Sequence, residues 1–379
     1  MTLPIPLIKI SGTAEERGYT YGRSAADRVA QSFDLYRSTM ERRGVAWNDA
    51  LAAARIFFEE ITRLEPAMAD EIRGIAAGSC VPLEGIVIVN ARSEIMHRLA
   101  RNVAQSEPQD GCTGIIVQPE ATADRILIHA QNWDWMIAAR ESVILLHVCD
   151  GDHELLTFVE AGGLARCGLN SAGLALTGNS LRIDTALPET GLPISLIRRK
   201  VLASRSFSEA LSAIYKSPRG CANNMMLSHA HGEAIDLETT PREVFWVAPE
   251  GGLLIHANHF RSIAARSKLF DSGAALGPDT LSRELRVERL LRAKCGNIRM
   301  VDVMSTLLDT WGAPDGVLTL PQEEWPGIPI GTTASVVMVP ERGELFFCNE
   351  PDRNPVFHRV SLTLRVPQEQ SPTVPTIVS

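Results

Sequence analysis

Asp110-Gly111-Cys112-Thr113-Gly114, followed one hairpin later by Gln131-Asn132-Trp133-Asp134-Trp135, is the stretch on which the reading of this chain turns. A thiol attacks carbonyls as its thiolate, and a free cysteine has a pKa of about 8.5, so it needs a base or a cation nearby. An α-amino group, with a pKa of about 7.7–8.0, can take the thiol proton near neutral pH. Cys112 owns such an amine only if it begins a chain, which requires the Gly111–Cys112 bond to break. Gly111 has no Cβ, so the carbonyl before Cys112 is open to attack and the backbone there tolerates strain. Attack by the thiol would give a thioester by N-to-S shift, and water would release the new terminus. Thr113 and Gly114 lead into a strand, which is expected to fix the thiol at a sheet edge. The dipeptide alone is better read as a turn with a buried thiol, and the surrounding pattern has to decide.

Outward from Cys112 the chain changes character. Before residue 110 the pattern is helical after a short strand at Leu7–Ile10. Thr13-x-x-Glu16 reads as a capping box, opening a helix expected to run to Arg43. Asp49–Arg63, Met68–Ala77 and Leu83–His97 carry further helical periodicity, with Pro66 just beyond the second helix. Residues 101–111 are polar and patternless, an expected exposed loop and a suitable place for a chain break.

After Gly111, short β-branched runs bounded by turns predict strands at Gly114–Gln118, Ile126–Ala130, Val143–Val148, Glu154–Val159, Leu164–Leu169 and Gly173–Thr177. Helices are expected at Ile194–Ser204 and Ser208–Lys216, then strands at Asn224–Ser228, Glu233–Leu237 and Val244–Val247. Helices at Ser282–Lys294 and Val301–Thr310 precede closing strands at Ala334–Val339, Glu344–Cys348 and Val360–Val366. Runs of strands separated by paired helices predict an α+β fold of two packed antiparallel sheets with helices outside. The end of the chain, from Gln368, is Pro/Ser/Thr-rich and expected to be loose.

The whole chain sets outer bounds. With 379 residues, 45% hydrophobic and 22% charged, it has the composition of an ordinary globular protein. No apolar run reaches the ~18 residues a membrane span needs. Met1-Thr2-Leu3-Pro4-Ile5-Pro6 lacks the basic and apolar regions of a signal peptide, so a cytoplasmic location and no membrane partner are expected. A net charge of −8, without basic clusters, disfavours nucleic acid as a partner. The seven cysteines are odd in number and widely spaced, with no Cys-x-x-Cys, which argues for a reducing compartment rather than a disulfide framework or zinc cluster.

Asp110–Thr113, Gln131–Asp134, Glu160-Ala161-Gly162-Gly163 and Gly168–Leu174 together resemble the acyl-coenzyme A:isopenicillin N acyltransferase family. His256-Ala257-Asn258-His259-Phe260 and the run from Ser282-Arg283 through Arg289-Leu290-Leu291 extend the resemblance. These blocks occur in the family's order from about Gly18 to Phe347, which covers nearly all of the chain. The family consists of self-processing N-terminal-nucleophile enzymes. It implies a four-layer αββα sandwich, autocatalytic cleavage between Gly111 and Cys112, and acyl chemistry at amide or thioester bonds. On that reading residues 1–111 become an α chain and 112–379 a catalytic β chain, the two fragments staying together as one αββα domain.

The resemblance also assigns roles. Asp134 is expected beside the nucleophile as an orienting carboxylate that holds the amine of Cys112. Asn258 is expected to donate its side-chain amide to the developing oxyanion. Asn223-Asn224 is a second candidate amide pair, more readily a turn. Trp133 and Trp135 read as core or pocket wall. His256-x-x-His259 and His229-x-His231 hint at a metal, but no acidic or cysteine ligand completes either at useful spacing, so no metal is expected. A histidine base for Cys112 stays open, with His129 close in sequence. One departure stands out: penicillin-making members carry a Ser-Arg-Gly-Ala-Thr run, whereas this chain has Pro329-Ile330-Gly331-Thr332-Thr333. The arginine is missing, which puts penicillin substrates in doubt, and Arg140, Arg283 and Arg286 are the candidate replacements.

The leading expectation is an enzyme that hydrolyses or transfers the acyl group of a small N-acyl compound through a thioester on Cys112. It needs no cofactor, with acyl-coenzyme A as a candidate acyl donor. The alternatives are a non-catalytic or regulatory protein keeping the fold, and a thiol redox protein. The lack of a nearby resolving cysteine counts against the latter.

Overall fold

The structure, a computed structural model, describes residues 3–100, 111–184, 188, 190–325 and 327–366. The expected loop before Gly111 and the Pro/Ser/Thr-rich end therefore lie outside the described residues. A short strand, β1 (Leu7–Ile10), precedes five helices: α1 (Ala14–Ser24), α2 (Ala26–Arg42), α3 (Trp47–Leu64), α4 (Pro66–Ser79) and α5 (Leu83–Ala100). Six strands follow: β2 (Cys112–Val117), β3 (Ile128–Met136), β4 (Val143–Asp150), β5 (His153–Glu160), β6 (Cys167–Asn170) and β7 (Leu174–Thr177). Helices α6 (Ile194–Ala203) and α7 (Phe207–Lys216) lead to β8 (Asn223–His229), β9 (Ala234–Thr239), β10 (Val244–Val247) and β11 (Leu253–His256). Then come α8 (Ile263–Lys268), α9 (Ser272–Leu276), α10 (Asp279–Arg292) and α11 (Met300–Leu307). The closing strands are β12 (Gln322–Trp325), β13 (Ile328–Val339), β14 (Glu344–Cys348) and β15 (His358–Ser361).

These strands form two sheets. One runs β1-β4-β5-β6-β7-β8-β9-β10, the other β11-β2-β3-β13-β14-β15 with β12 on β13. The first sheet packs α2 and α6 on its outer side, and the second packs α10 and α11. The inner faces meet where β3 lies on β7, β2 on β8 and β11 on β9. The result is the four-layer αββα sandwich. Strand alternation makes it possible: Ile115 and Val117 of β2 join the apolar layer under α10 and α11, with Val287, Leu291 and Val303. Ile116 turns the other way, onto Met226. A strand covered on both faces is buried throughout, as β2 is.

The two expected fragments share one core. Apolar residues of α1–α5 and of both sheets form a single buried cluster, and β1 pairs with β4. That pairing is parallel, with Leu7 opposite Leu145, so the first sheet is not wholly antiparallel as the sequence suggested. The expected capping box is present: Thr13 Oγ1 accepts the Glu16 N–H at 3.3 Å, and Glu16 Oε2 accepts the Thr13 N–H at 2.8 Å. The helix it opens is interrupted at Ala25, whose φ of −120° leaves the helical region. Alanine is the best helix former, so this break has no local sequence signal.

Two further differences bear on the site. Strand β3 does not stop at Ala130 but continues to Met136, because β2 and β13 supply backbone partners on both sides. Asn132, Trp133 and Asp134 are therefore strand residues. Leu253–His256, not expected as a strand, forms β11 against β2. Among the described residues, no helix is long and apolar enough to cross a membrane.

Candidate active site

Cys112 is the first residue of β2 and pairs with Trp133 of β3. On its other side β11 reaches only as far as Gly114, opposite His256. The thiol therefore stands at the free end of an inner strand, not on an edge strand as expected. Cys112, Gly114 and Ile116 share the face turned to the other sheet. A Cβ on residue 114 would lie 2.3 Å from Met226 Sδ, so a larger residue there would force the Met226 side chain to move.

A guanidinium reaches the thiol. Arg166 Nη2 lies 3.6 Å from Cys112 Sγ, and the Arg166 side chain stacks 4.0 Å above the Trp133 ring. Arg166 is only 4% exposed, makes no ion pair with a described residue, and leaves its Nε without a hydrogen-bond partner among them. A buried cation lacking a carboxylate is costly, and the group it can favour here is the thiolate of Cys112. No motif marks Arg166 in the sequence. It precedes β6, far along the chain, and only the sheet-on-sheet packing brings it to Cys112.

The backbone on either side of Cys112 is held from three directions. The Gly111 carbonyl accepts the Asp134 backbone N–H at 2.8 Å. The Cys112 N–H donates to Asn258 Oδ1 at 2.7 Å. Arg283 Nη1 donates to the Cys112 carbonyl at 2.8 Å and to Thr113 Oγ1 at 3.0 Å, while its Nη2 donates to Asn258 Oδ1 at 3.0 Å. Asp279, one helical turn back on α10, anchors Arg283 Nε at 3.0 Å.

Asp134 sits beside Gly111. Its carboxylate accepts Thr332 Oγ1 at 2.6 Å and Thr319 Oγ1 at 3.2 Å. A Cβ on residue 111 would lie 2.8 Å from Asp134 Oδ2 and 3.0 Å from Asp134 Cβ. That is a sharper reason for glycine at 111 than backbone freedom. Asn258 has a defined orientation: two donors, the Cys112 N–H and Arg283 Nη2, face the same atom, which must be the acceptor Oδ1. Its Nδ2 then donates to Ser180 O at 3.0 Å. The structure so brings Gly111, Cys112, Asp134 and Asn258 together, with Asn258 facing Cys112 by its carbonyl oxygen.

The other candidates fall elsewhere. His129 is enclosed between Ser228 Oγ and Thr177 Oγ1, at 2.8 and 2.9 Å, opposite Ile116 in the ladder. Burial lowers its pKa to about 3, so it is no base for Cys112. Asn224 Nδ2 bonds to Asp236, and Asn223 Oδ1 accepts Arg198 Nη2 at 3.2 Å. Trp135 Nε1 donates to Tyr36 Oη at 3.1 Å, within the core. Of the arginines weighed for the missing family residue, only Arg283 touches Cys112. Arg140 holds the Thr332 carbonyl and Asp352, and Arg286 pairs with Asp309. The segment expected to carry an arginine instead supplies Thr332 to Asp134.

Beside Arg166 lies a small void of about 30 Å³, lined among others by Arg92, Glu94, Glu160, Arg198 and Asn223. Arg92 pairs with Glu160 at 2.6 Å, and burial raises the pKa of Glu94. One sequence expectation about metal ligands needs correction. Asp236 and Glu238 of β9 lie beside His256, with all three ligand-capable atoms within 4.8 Å of one another. Sequence spacing hid this, because the carboxylates come from a different strand.

In this sandwich of two sheets a cysteine, an aspartate and an asparagine meet at a strand end. The family model of acyl-coenzyme A:6-aminopenicillanic acid acyltransferase matches residues 121–322. The chain is 31% identical over 293 residues to the acyl-coenzyme A:6-aminopenicillanic-acid-acyltransferase 40 kDa form of Emericella nidulans, covering 75% of this chain and 76% of that protein. The chain belongs to this acyltransferase family. Two solved structures are also similar. A mutant of the conjugated bile acid hydrolase from Clostridium perfringens matches with a TM-score of 0.45 at 14% identity, covering 66% of this chain and 92% of that one. The Caenorhabditis elegans ortholog of N-acylethanolamine-hydrolyzing acid amidase matches with a TM-score of 0.41 at 12% identity, covering 61% and 93%.

Proposed function

We propose that this protein cuts itself between Gly111 and Cys112 and then hydrolyses or transfers the acyl group of a small N-acyl compound through a thioester on Cys112. The observation that carries the reading is the hydrogen bond from the Asp134 backbone N–H to the Gly111 carbonyl, at 2.8 Å. A donor already on that oxygen is where negative charge would develop when Cys112 Sγ attacks the Gly111 carbon.

Self-cleavage is an N-to-S acyl shift followed by hydrolysis. The Cys112 Sγ–Gly111 carbon bond forms, the thiol proton passes to the departing Cys112 nitrogen, and the Gly111–Cys112 amide breaks. Water then hydrolyses the thioester, leaving a Gly111 carboxylate and a free thiol and amine on Cys112. In later cycles the amine takes the thiol proton, and an acyl carbonyl replaces Gly111. Arg166 favours the thiolate electrostatically. Asn258 Oδ1 is already 2.7 Å from the nitrogen that becomes the amine, which suits it to hold that amine. Its Nδ2, which donates to Ser180 O at 3.0 Å, is the donor assigned in this reading to a substrate oxyanion. Asp134, with two threonine hydroxyls fixing its carboxylate, orients the new terminus once Gly111 leaves.

Transfer and hydrolysis share every step up to the thioester and part according to whether an amine or water reaches it. Incubation with p-nitrophenyl acetate tests the chemistry. The acetyl group should be found by mass on a fragment beginning at Cys112 and be removable by hydroxylamine. Acetylation spread over other residues, with Cys112 unmodified, would refute the nucleophile.

A further inference from the structure

The residues flanking Asn258 are tied to a buried charge cluster that the proposed chemistry does not use. His256 ends β11, Asp236 and Glu238 lie on β9, and all three side chains are fully buried. His256 Nδ1 is 2.8 Å from the Ala257 carbonyl, which can only accept, so this nitrogen carries a hydrogen. His256 Nε2 is 3.0 Å from Glu238 Oε1 and 3.5 Å from Asp236 Oδ2. Asp236 in turn takes a hydrogen bond from Asn224 Nδ2.

The cluster grips both ends of the turn that carries Asn258. On one side the imidazole holds the Ala257 carbonyl. On the other, the Glu238 carboxylate accepts the backbone N–H groups of Arg261 and Ser262, the latter at 3.1 Å. Asn179 Nδ2 adds bonds to the His256 and Ala257 carbonyls at 2.8 and 2.9 Å. Between these ties, Asn258 Oδ1 meets the Cys112 nitrogen. A charge cluster is an expensive way merely to stabilise a turn, because apolar replacements of buried ion pairs are often neutral or better. Its geometric output is the placement of Asn258.

We infer that His256, Glu238 and Asp236 are positioning residues that set the Asn258 side chain against Cys112 and so control the rate of self-cleavage and of acyl transfer. The inference rests on the reading of Asn258 as a site residue. Burial works against a charged His256, but Asp236 and Glu238 outweigh it and raise its pKa to about 9. Both ring nitrogens face acceptors, the Ala257 carbonyl on Nδ1 and the Glu238 carboxylate on Nε2. Arg261, His259 and Glu284 are the other charged or titratable groups around it, Glu284 pairing with His259 at 3.1 Å and Arg261 at 2.9 Å.

The test is a double-mutant cycle on the full chain, using His256→Gln, Asn258→Ala and the double variant. The readouts are Gly111–Cys112 cleavage by intact mass and kcat and KM on p-nitrophenyl acetate. His256→Gln should slow cleavage and lower kcat about 10²-fold with KM little changed, as expected when a reacting group is displaced by about 1 Å. In the Asn258→Ala background the same change should cost nothing more. Losses that multiply in the double variant, or wild-type rates in His256→Gln, would overturn the inference. Glu238→Gln, which keeps an acceptor for the backbone N–H groups, runs the same cycle if His256→Gln does not fold. Stoichiometric zinc in the wild type that is lost in His256→Gln would also overturn it, by making the cluster a metal site. Wild-type rates in Asn258→Ala would instead remove the underlying role of Asn258, whereas an impaired Asn258→Ala beside a normal His256→Gln removes the positioning alone.

Discussion

The Gly111 carbonyl oxygen and the Asp134 backbone nitrogen are 2.8 Å apart, and the Asp134 side chain closes over the same glycine. The bond proposed to break is thus polarised by β3 and walled by it. Any side chain at residue 111 would press on Asp134. Gly111→Ala is therefore expected to keep the fold and to slow cleavage by at least about tenfold, since a 1 Å displacement of reacting atoms can cost more than this. A time course of intact mass reads the rate. Cleavage of Gly111→Ala at the wild-type rate would show that the close contact has no part in it.

Arg166 gives a prediction about the thiol itself. Removing the guanidinium by Arg166→Met should raise the Cys112 thiol pKa by about one unit or more, the usual effect of losing a close opposite charge. The pH dependence of alkylation by iodoacetamide, followed on the fragment beginning at Cys112, measures it. An unchanged profile would assign Arg166 to packing on Trp133.

Asn258 should matter for rate more than for folding. Loss of a transition-state donor costs about 3–4 kcal/mol, so Asn258→Ala is expected to lower turnover of p-nitrophenyl acetate about 10²–10³-fold. The melting temperature should move only a few degrees. Near-normal turnover would take Asn258 out of the chemistry.

The buried cluster predicts a pH dependence of stability. Asp236 is raised to about 7, mainly by burial, from an ordinary value of 3.8, and His256 to about 9 from 6.5. Both groups hold a proton more tightly in the folded protein than in the unfolded chain. Their contribution is whole below the unfolded values and is lost as pH rises, over 3.8–7 for Asp236 and 6.5–9 for His256. His129, lowered to about 3, has finished titrating before this upper range. The wild-type melting temperature should therefore fall between about pH 7 and 9 more steeply than that of His256→Gln. Parallel curves would contradict a protonated His256.

Much of this was readable from residue order. Cys112 after Gly111, Asp134 at the end of Gln131–Asp134, and Asn258 in His256–Phe260 were picked out by the ordered family blocks rather than by their own dipeptides, and the structure brings them together. What was not readable depends on pairing. Asp134 fell beyond the strand expected to end at Ala130. It is a strand residue because β2 and β13 pair with β3 on both sides. Arg166 had no signal, since its partner lies on the other sheet. Asp236 and Glu238 meet His256 only because β9 and β11 face each other across the sandwich. The parallel β1–β4 pair likewise joins segments more than a hundred residues apart, which no local period reports.

The central claim is that Cys112 begins a chain. Intact mass of purified full-length protein under denaturing conditions tests it most directly. The account predicts two species, residues 1–111 and 112–379, from the wild type, and a single uncut, inactive chain from Cys112→Ala. A wild-type chain that stays uncut while turning over p-nitrophenyl acetate, or a Cys112→Ala chain that is cut, would contradict it.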